Sequence, residues 1–269
     1  MIPSMRRSAR FVGLALATPF LLLSLALAAG ADDDVDEILA CVQKNFPEET
    51  SVQMMEFRST DRLGDGRRLG AKVWWKRVED GLSRVMLRLR KPPDLRGAGL
   101  LLIEKRPRTD MFVYLPDLEK VRRVTTRMLS GSLFGSDFTY EDFQRLQGME
   151  LEGRSERLAD ATLDEVPVHV VAHHPAPDSG SGYERVVTYV ARDTCLPLKS
   201  EMWERGERLR KVLTADQESV FQKDGVRISQ KLLMEDLRDK TSTHLVVADI
   251  EVEVEIPRKV FTVTYLERP

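Results

Sequence analysis

The stretch "SRVMLRLRK", residues 83–91, constrains this chain most. Val85, Leu87 and Leu89 point one way along an extended backbone, and Arg84, Arg88 and Arg90 point the other. That period of two predicts a strand with one apolar and one wet face. The pattern recurs in "SVQMMEFRST", "AKVWWKRV", "GLLLIEK" and "DMFVYLP", separated by "LGDGRRLG", "EDG", "KPPDLRG" and "RPRT". Short apolar runs between turn signals predict an antiparallel meander. In "YLPDLEKVRRV", Pro116 and Asp117 supply a tight turn between two strands. Past residue 148 the runs resume: "MELEGRSERL", "VPVHVVAHH", "YERVVTYVARD", "LPLKSEMWERG", "RLRKVLTAD", "VRISQKLLMED" and "THLVVADIEVEVEI". In the last, Ile250, Val252, Val254 and Ile256 alternate with acids. Roughly a dozen strands cannot stay flat, so the sheet is expected to curl into a barrel or half-barrel. The fold class is mainly β, with a few helices covering an apolar concave face.

The N-terminus sets the compartment. Arg6, Arg7 and Arg10 precede an apolar run that ends in small residues at Ala29 and Ala31, followed by "DDDVDE". This predicts a cleaved secretory signal over residues 1–31, in preference to a membrane anchor, and a single domain over 32–269. Cleavage removes three arginines and no acid from a chain of formal net charge −2, leaving it more acidic. That balance excludes a general nucleic-acid binder. The mature chain opens with "DDDVDEILACVQKNF", whose Val35, Ile38, Leu39 and Val42 share one helical face and whose acids occupy the first turn. Two cysteines remain, Cys41 and Cys195. They are either a disulfide, which an exported compartment permits, or two separate buried thiols.

Catalytic signatures do not emerge. The chain has no Gly-x-Ser-x-Gly, Walker loop, His-Glu-x-x-His or Cys-x-x-Cys. His169 and His173 share a strand face and His174 points opposite, which reads as polar outward positions rather than a metal site. No enzyme activity, cofactor or metal is expected.

The segment "SLFGSDFTYEDF", residues 132–143, gathers acids among aromatics. Thr139 and Asp142 have capping-box spacing for a helix "YEDFQRLQG" that Gly148 closes. Asp137 is expected to accept backbone N–H bonds in the preceding loop. Glu141 and Asp142 fall in the first turn, where the helix dipole favours acids. Phe134 and Phe138 are left to insert beneath the helix. The segment predicts a cap and a lid. Arg122, Arg123 and Arg127 form a solvated strand end or, alternatively, a contact for a phosphate headgroup or an acidic partner.

The ordered set "YLPDLEKVRRV", "GSLFGSDFTYEDF", "LPLKSEMWERGERLRK" and "PRKVFTVTYLE" resembles the LolA-like outer-membrane lipoprotein-sorting family, in particular a larger subgroup carrying the glycine–serine–aspartate–phenylalanine motif. The resemblance implies a periplasmic LolA/LolB-like half-barrel of about eleven antiparallel strands, with helices lidding a hydrophobic cavity. It implies a carrier that shields a lipid or lipoprotein acyl chain between inner and outer membrane. An inner-membrane exporter of the resistance-nodulation-division type and an outer-membrane acceptor are the implied partners. A sensor or scaffold that binds a partner protein is the alternative from the same fold. Val85, Leu87, Leu89, Leu100, Leu102, Phe134, Phe138 and Met202, with Trp75 as a further candidate, are expected near the cavity.

Overall fold

The computed structural model describes residues 31–268. The expected signal segment, residues 1–31, lies outside the described residues apart from Ala31. That residue begins α1 (Ala31–Gln43), whose buried face is Val35 and Ile38. Leu39, expected on the same face, is exposed.

Six strands follow in a meander: β1 (Thr50–Thr60), β2 (Gly66–Arg77), β3 (Ser83–Lys91), β4 (Gly99–Ile103), β5 (Asp110–Leu115) and β6 (Lys120–Arg123). After α2 (Tyr140–Leu146) a second meander runs through β7 (Gly153–Leu163), β8 (Val166–Pro175), β9 (Arg185–Ala191), β10 (Pro197–Glu204) and β11 (Arg208–Ala215). A separate hairpin pairs β12 (Val220–Lys223) with β13 (Val226–Ser229). Then β14 (Lys231–Asp236) and β15 (Thr241–Val252) complete the sheet, and α3 (Val263–Glu267) is the last element among the described residues.

All strands except the β12–β13 hairpin form one curved antiparallel sheet of thirteen, in the order β6-β5-β4-β3-β2-β1-β15-β14-β11-β10-β9-β8-β7. The resemblance implied about eleven. The two meanders are joined through β15, which pairs with β1 from Ser51–Val252 to Thr60–Ser242. A bulge opposite Met54/Met55 keeps Leu245 and Val247 on the same inner face as Ile250 and Val252.

This order explains the lid. Consecutive strands β6 and β7 lie at opposite edges of the sheet, so residues 124–152 must return from one edge to the other. That link carries α2 and supplies Leu133, Phe134, Phe138, Tyr140, Phe143 and Met149 to the main core. They pack on Phe57, Val73, Leu87, Leu100 and their neighbours from the sheet.

Three predicted strand features change in the structure. Arg88 was expected on a wet face but is only 4% exposed. Residues 256–266 cover the outer face of β3 and β4, burying Met86 and Leu101 against Ile256, Val260, Phe261 and Leu266. Arg88 donates to Gly97 O at 2.8 Å and to Tyr265 O at 2.6 Å, tying the C-terminal helix to the sheet. The alternation through Val254 and Ile256 does not continue as strand. Glu253 turns to φ 52°, and its carboxylate accepts the backbone N–H groups of Glu48, Glu49 and Thr50. Finally, "VRISQKLLMED" divides at Gln230, with β13 joining the hairpin and β14 the main sheet.

Candidate functional site

The lid begins as a tight loop. Ser132 and Thr139 form an isolated bridge, and Leu133 N donates to Phe138 O at 2.7 Å. Phe138, fully buried, meets the Phe57 ring edge-on at a centroid distance of 5.9 Å. Thr139 caps α2: its hydroxyl accepts from Asp142 N at 3.1 Å, and its own N–H donates to Asp142 Oδ2 at 2.9 Å. That reciprocal pair satisfies two of the free donors at the helix start.

Asp137 works differently from expectation. It accepts from the hydroxyls of Thr241 and Thr243 rather than from neighbouring backbone N–H groups. The Asp137 carbonyl also accepts from Lys211 Nζ at 2.6 Å. The loop is therefore held by β11 and β15, which are over seventy residues away in sequence.

A buried polar network lies under α2. Tyr183 Oη donates to Asp142 Oδ2 at 3.0 Å, and Lys211 Nζ stands 3.5 Å from the same oxygen. Burial, with the neighbouring carboxylates of Asp142 and Glu141, pushes the Tyr183 phenol well above its usual range. Glu141 is also buried and accepts from Ser181 Oγ at 3.2 Å. Desolvation and then repulsion by Asp142 push its carboxyl up to about 7. One turn later, burial holds the Arg145 guanidinium below the usual arginine range, and Arg145 Nε is buried without a hydrogen-bond partner.

Beside this network a cleft of about 730 Å³ opens between α1 and the end of α2. Its wall takes Met55 and Trp75 from β1 and β2, Val171 and His173 from β8, Val190 from β9, and Leu213, Leu245 and Val247 from the returning strands. Phe46 and Met149 close the ends of the two helices over it. Trp75 is fixed by its Nε1, which donates to Gln147 O at 3.2 Å, and Arg77 lies over its ring. Gly148, at φ 69°, ends α2 where a Cβ would fall 2.8 Å from the Phe46 ring. A disulfide between Cys41 and Cys195 staples α1 to the β9–β10 turn, beside Val35, Ile38, Val171 and Val190.

The predicted cavity residues separate into two sets. Trp75 lines the cleft. Val85, Leu87, Leu89, Leu100, Leu102, Phe134, Phe138 and Met202 do not; they are buried in the main core with Trp75. The physical reason is the lid link, whose own aromatics fill the space over β3 and β4. The strand residues among them do point inward, but the space they face is packed.

A second, polar pocket of about 310 Å³ adjoins the first. Arg145, Glu150, Leu151 and His173 line both. The pocket also takes Arg108, Arg123 and Glu141. Arg108 is held by Glu152 and Asp178, and Arg123 by Asp110. Of the arginine trio, only Arg123 lines this pocket; Arg122 and Arg127 are exposed. His173 overturns the expectation of an outward position: its Nδ1 is 3.1 Å from Ser155 Oγ, while its Nε2 is buried without a partner. Desolvation and the nearby Arg145 bring the His173 pKa down to about 4, so the ring is neutral at pH 7. Gly153 lets the start of β7 pass over this ring, since a Cβ there would fall 2.9 Å from its Nε2. His169 and His174 pair with Asp160 and Glu156. Among the described residues no three metal-ligating side chains converge.

Sequence reasoning missed Arg145, His173 and Glu141 as one group. The Glu141–Arg145 spacing of four residues was a usable signal, since it puts both side chains on one face of α2.

Residues 81–268 match a family model whose description reads "Uncharacterized protein". The chain belongs to that family. No curated protein matches it in sequence. Among solved structures, a domain assigned to outer membrane lipoprotein sorting from Vibrio parahaemolyticus superposes with a TM-score of 0.78 at 23% identity, covering 88% of this chain and 98% of its own. A DUF1329 family protein from Desulfovibrio piger gives 0.80 at 21% identity, covering 87% and 98%. A LolA superfamily protein from Nitrosomonas europaea gives 0.69 at 20% identity, covering 86% and 98%. These likenesses are of fold alone. No helix among the described residues is long and apolar enough to cross a membrane.

Proposed function

We propose that residues 32–269 act as one periplasmic carrier domain, released from the signal segment 1–31, that shields an acyl chain of a lipid or lipoprotein between the two membranes. The observation that carries this reading is the cleft of about 730 Å³ on the inner face of the sheet, walled by Met55, Trp75, Val190, Leu213 and Val247. Its volume falls in the range of roughly 300–1,000 Å³ that suits a small-molecule ligand. Each methylene moved out of water is worth about 0.8 kcal/mol, so a long acyl chain crossing the periplasm unaided faces a cost on the order of 10 kcal/mol. A cleft whose wall is mostly apolar removes much of that barrier without any bond being made or broken, which is why the reading is a carrier and not an enzyme.

An exporter of the resistance-nodulation-division type as donor and an outer-membrane acceptor complete the proposal. The test is mass spectrometry of organic extracts from gently purified protein, paired with titration of a fluorescent fatty acid. The carrier reading expects co-purified lipid and saturable probe binding of one chain per cleft. Protein that yields no lipid and leaves the probe free in solution would contradict it.

A further inference from the structure

The polar pocket next to the cleft holds a guanidinium, Arg145, that feels the charge of Glu141 and Asp142 but makes no hydrogen bond to either. Arg145 sits at the junction of the two spaces and lines both, as does His173. Each has a buried ring or guanidinium nitrogen with no hydrogen-bond partner, Nε of Arg145 and Nε2 of His173. A buried polar atom left unpaired is destabilising, and a buried charge without its partners is more so. The other charges at the pocket are already committed. Arg108 is engaged by Glu152 and Asp178, Arg123 by Asp110, and Glu150 reaches out to Arg106. Asp142 Oδ2 is occupied by Thr139, Tyr183 and Lys211, while its Oδ1 is buried without a hydrogen-bond partner and acts on Arg145 only through its charge. Glu141 is one turn from Arg145, but with a carboxyl pushed up to about 7 it offers only part of a counter-charge at neutral pH.

We infer that Arg145 receives the anionic headgroup of an amphiphile whose acyl chain occupies the adjoining cleft. The inference rests on the carrier reading and adds to it a ligand class: a long chain ending in a carboxylate or a phosphate. A guanidinium presents its donors in a planar fork that matches either group. His173, neutral and lining the same junction, keeps a second positive charge away from the head. The geometry separates the two ends of the ligand, with the chain between α1 and the returning strands and the head beneath α2.

The experiment compares cis-parinaric acid with its methyl ester, which share one fluorescent chain and differ in head charge. Wild type should bind the acid about tenfold more tightly than the ester, the worth of a charge-assisted contact. Arg145→Gln should bring the acid to the level of the ester while leaving the ester's affinity intact, and Arg145→Lys should keep part of the preference. The ester serves as the folding control within each variant. Displacement of the probe by lysophosphatidic acid and by a monoacylglycerol of equal chain length then separates the headgroups. A phosphate advantage lost in Arg145→Gln assigns a phospholipid-type head, and a carboxylate advantage alone assigns a fatty-acid head; either supports the inference. Equal binding of acid and ester, with no phosphate advantage, overturns the headgroup assignment and leaves the carrier reading standing. Retention of the wild-type preference in Arg145→Gln overturns that assignment as well. Failure of every probe to bind overturns both.

Discussion

The two ends of the sheet's inner face solve the same problem in opposite ways. Over β3 and β4 the inward residues Leu87, Leu89 and Leu100 meet Phe134 and Phe138 of the lid link, and the space is closed. Toward β8, β9 and the returning strands, Val190 packs on Val35 and Ile38 of α1, and beside that contact Val190 and Leu213 line a cleft. Both ends show the same alternating pattern in sequence. What differs is the cover: a link rich in aromatics fills one end, and an amphipathic helix held at its rim by a disulfide leaves the other hollow. A strand's period reports which way a side chain points, and the element opposite decides whether it meets a neighbour or a space.

The largest contrast should come from truncation at the two ends. Phe138→Ala removes a fully buried ring from the packed end and should cost about 3–5 kcal/mol in urea unfolding. Leu213→Ala, half-buried on the cleft wall, should cost about 1–2 kcal/mol, because it widens a space already present. Equal costs would erase the distinction between filled and hollow ends. Leu87→Glu belongs with Phe138→Ala: with no space to receive an acid, it should leave the chain unfolded, as circular dichroism would report.

Next in size is the staple at the hollow end. The bridge Cys41–Cys195 closes a separation of 154 residues. The double change to Ser should lower stability by about 2–5 kcal/mol. Limited proteolysis should then cut first within α1, with the lid link spared. Cleavage starting in the lid would place the weaker cover at the wrong end.

Glu141 provides a pH test under the lid. Its ordinary value is 4.5, and the fold raises it to about 7. Between those values the unfolded chain has lost a proton that the native state keeps, so stability falls as pH rises through this window. The loss amounts to up to about 3 kcal/mol. Glu141→Gln should match wild type near pH 4 and be more stable by about that amount above pH 7. Parallel stability profiles for the two proteins would remove the buried-acid account. Thr139→Ala should have the smallest effect, about 1 kcal/mol, since it deletes one half of the capping box and leaves the core in place. A melting temperature unchanged by Thr139→Ala would mean the box contributes nothing.

Much of this was legible along the chain because it is local. The period-two runs mark the strands, and Thr139 three residues before Asp142 marks the start of α2. What was not legible depends on residues far apart. Arg88 reads as a solvent-facing arginine until residues 256–266 fold over it and Tyr265 O accepts from its guanidinium. Asp137 reads as a local turn residue, and its partners Thr241 and Thr243 lie more than a hundred positions downstream. A cavity was expected, but its position escaped notice for the same reason: nothing in "SRVMLRLRK" says whether its inward leucines face an aromatic link or an open space. Arg145 shared a helical face with Glu141 by spacing alone, but that the face is buried became clear only from the return of residues 124–152 across the sheet.

The most direct test of a hollow end beside a solid one is paramagnetic broadening of methyl resonances by a spin-labelled stearic acid. Met55, Met149, Val190 and Leu213 should broaden on addition of the probe while Leu87, Leu89 and Leu100 stay sharp. Broadening centred on Leu87 and Leu100, with the Val190 and Leu213 signals untouched, would contradict the division into a filled and a hollow end.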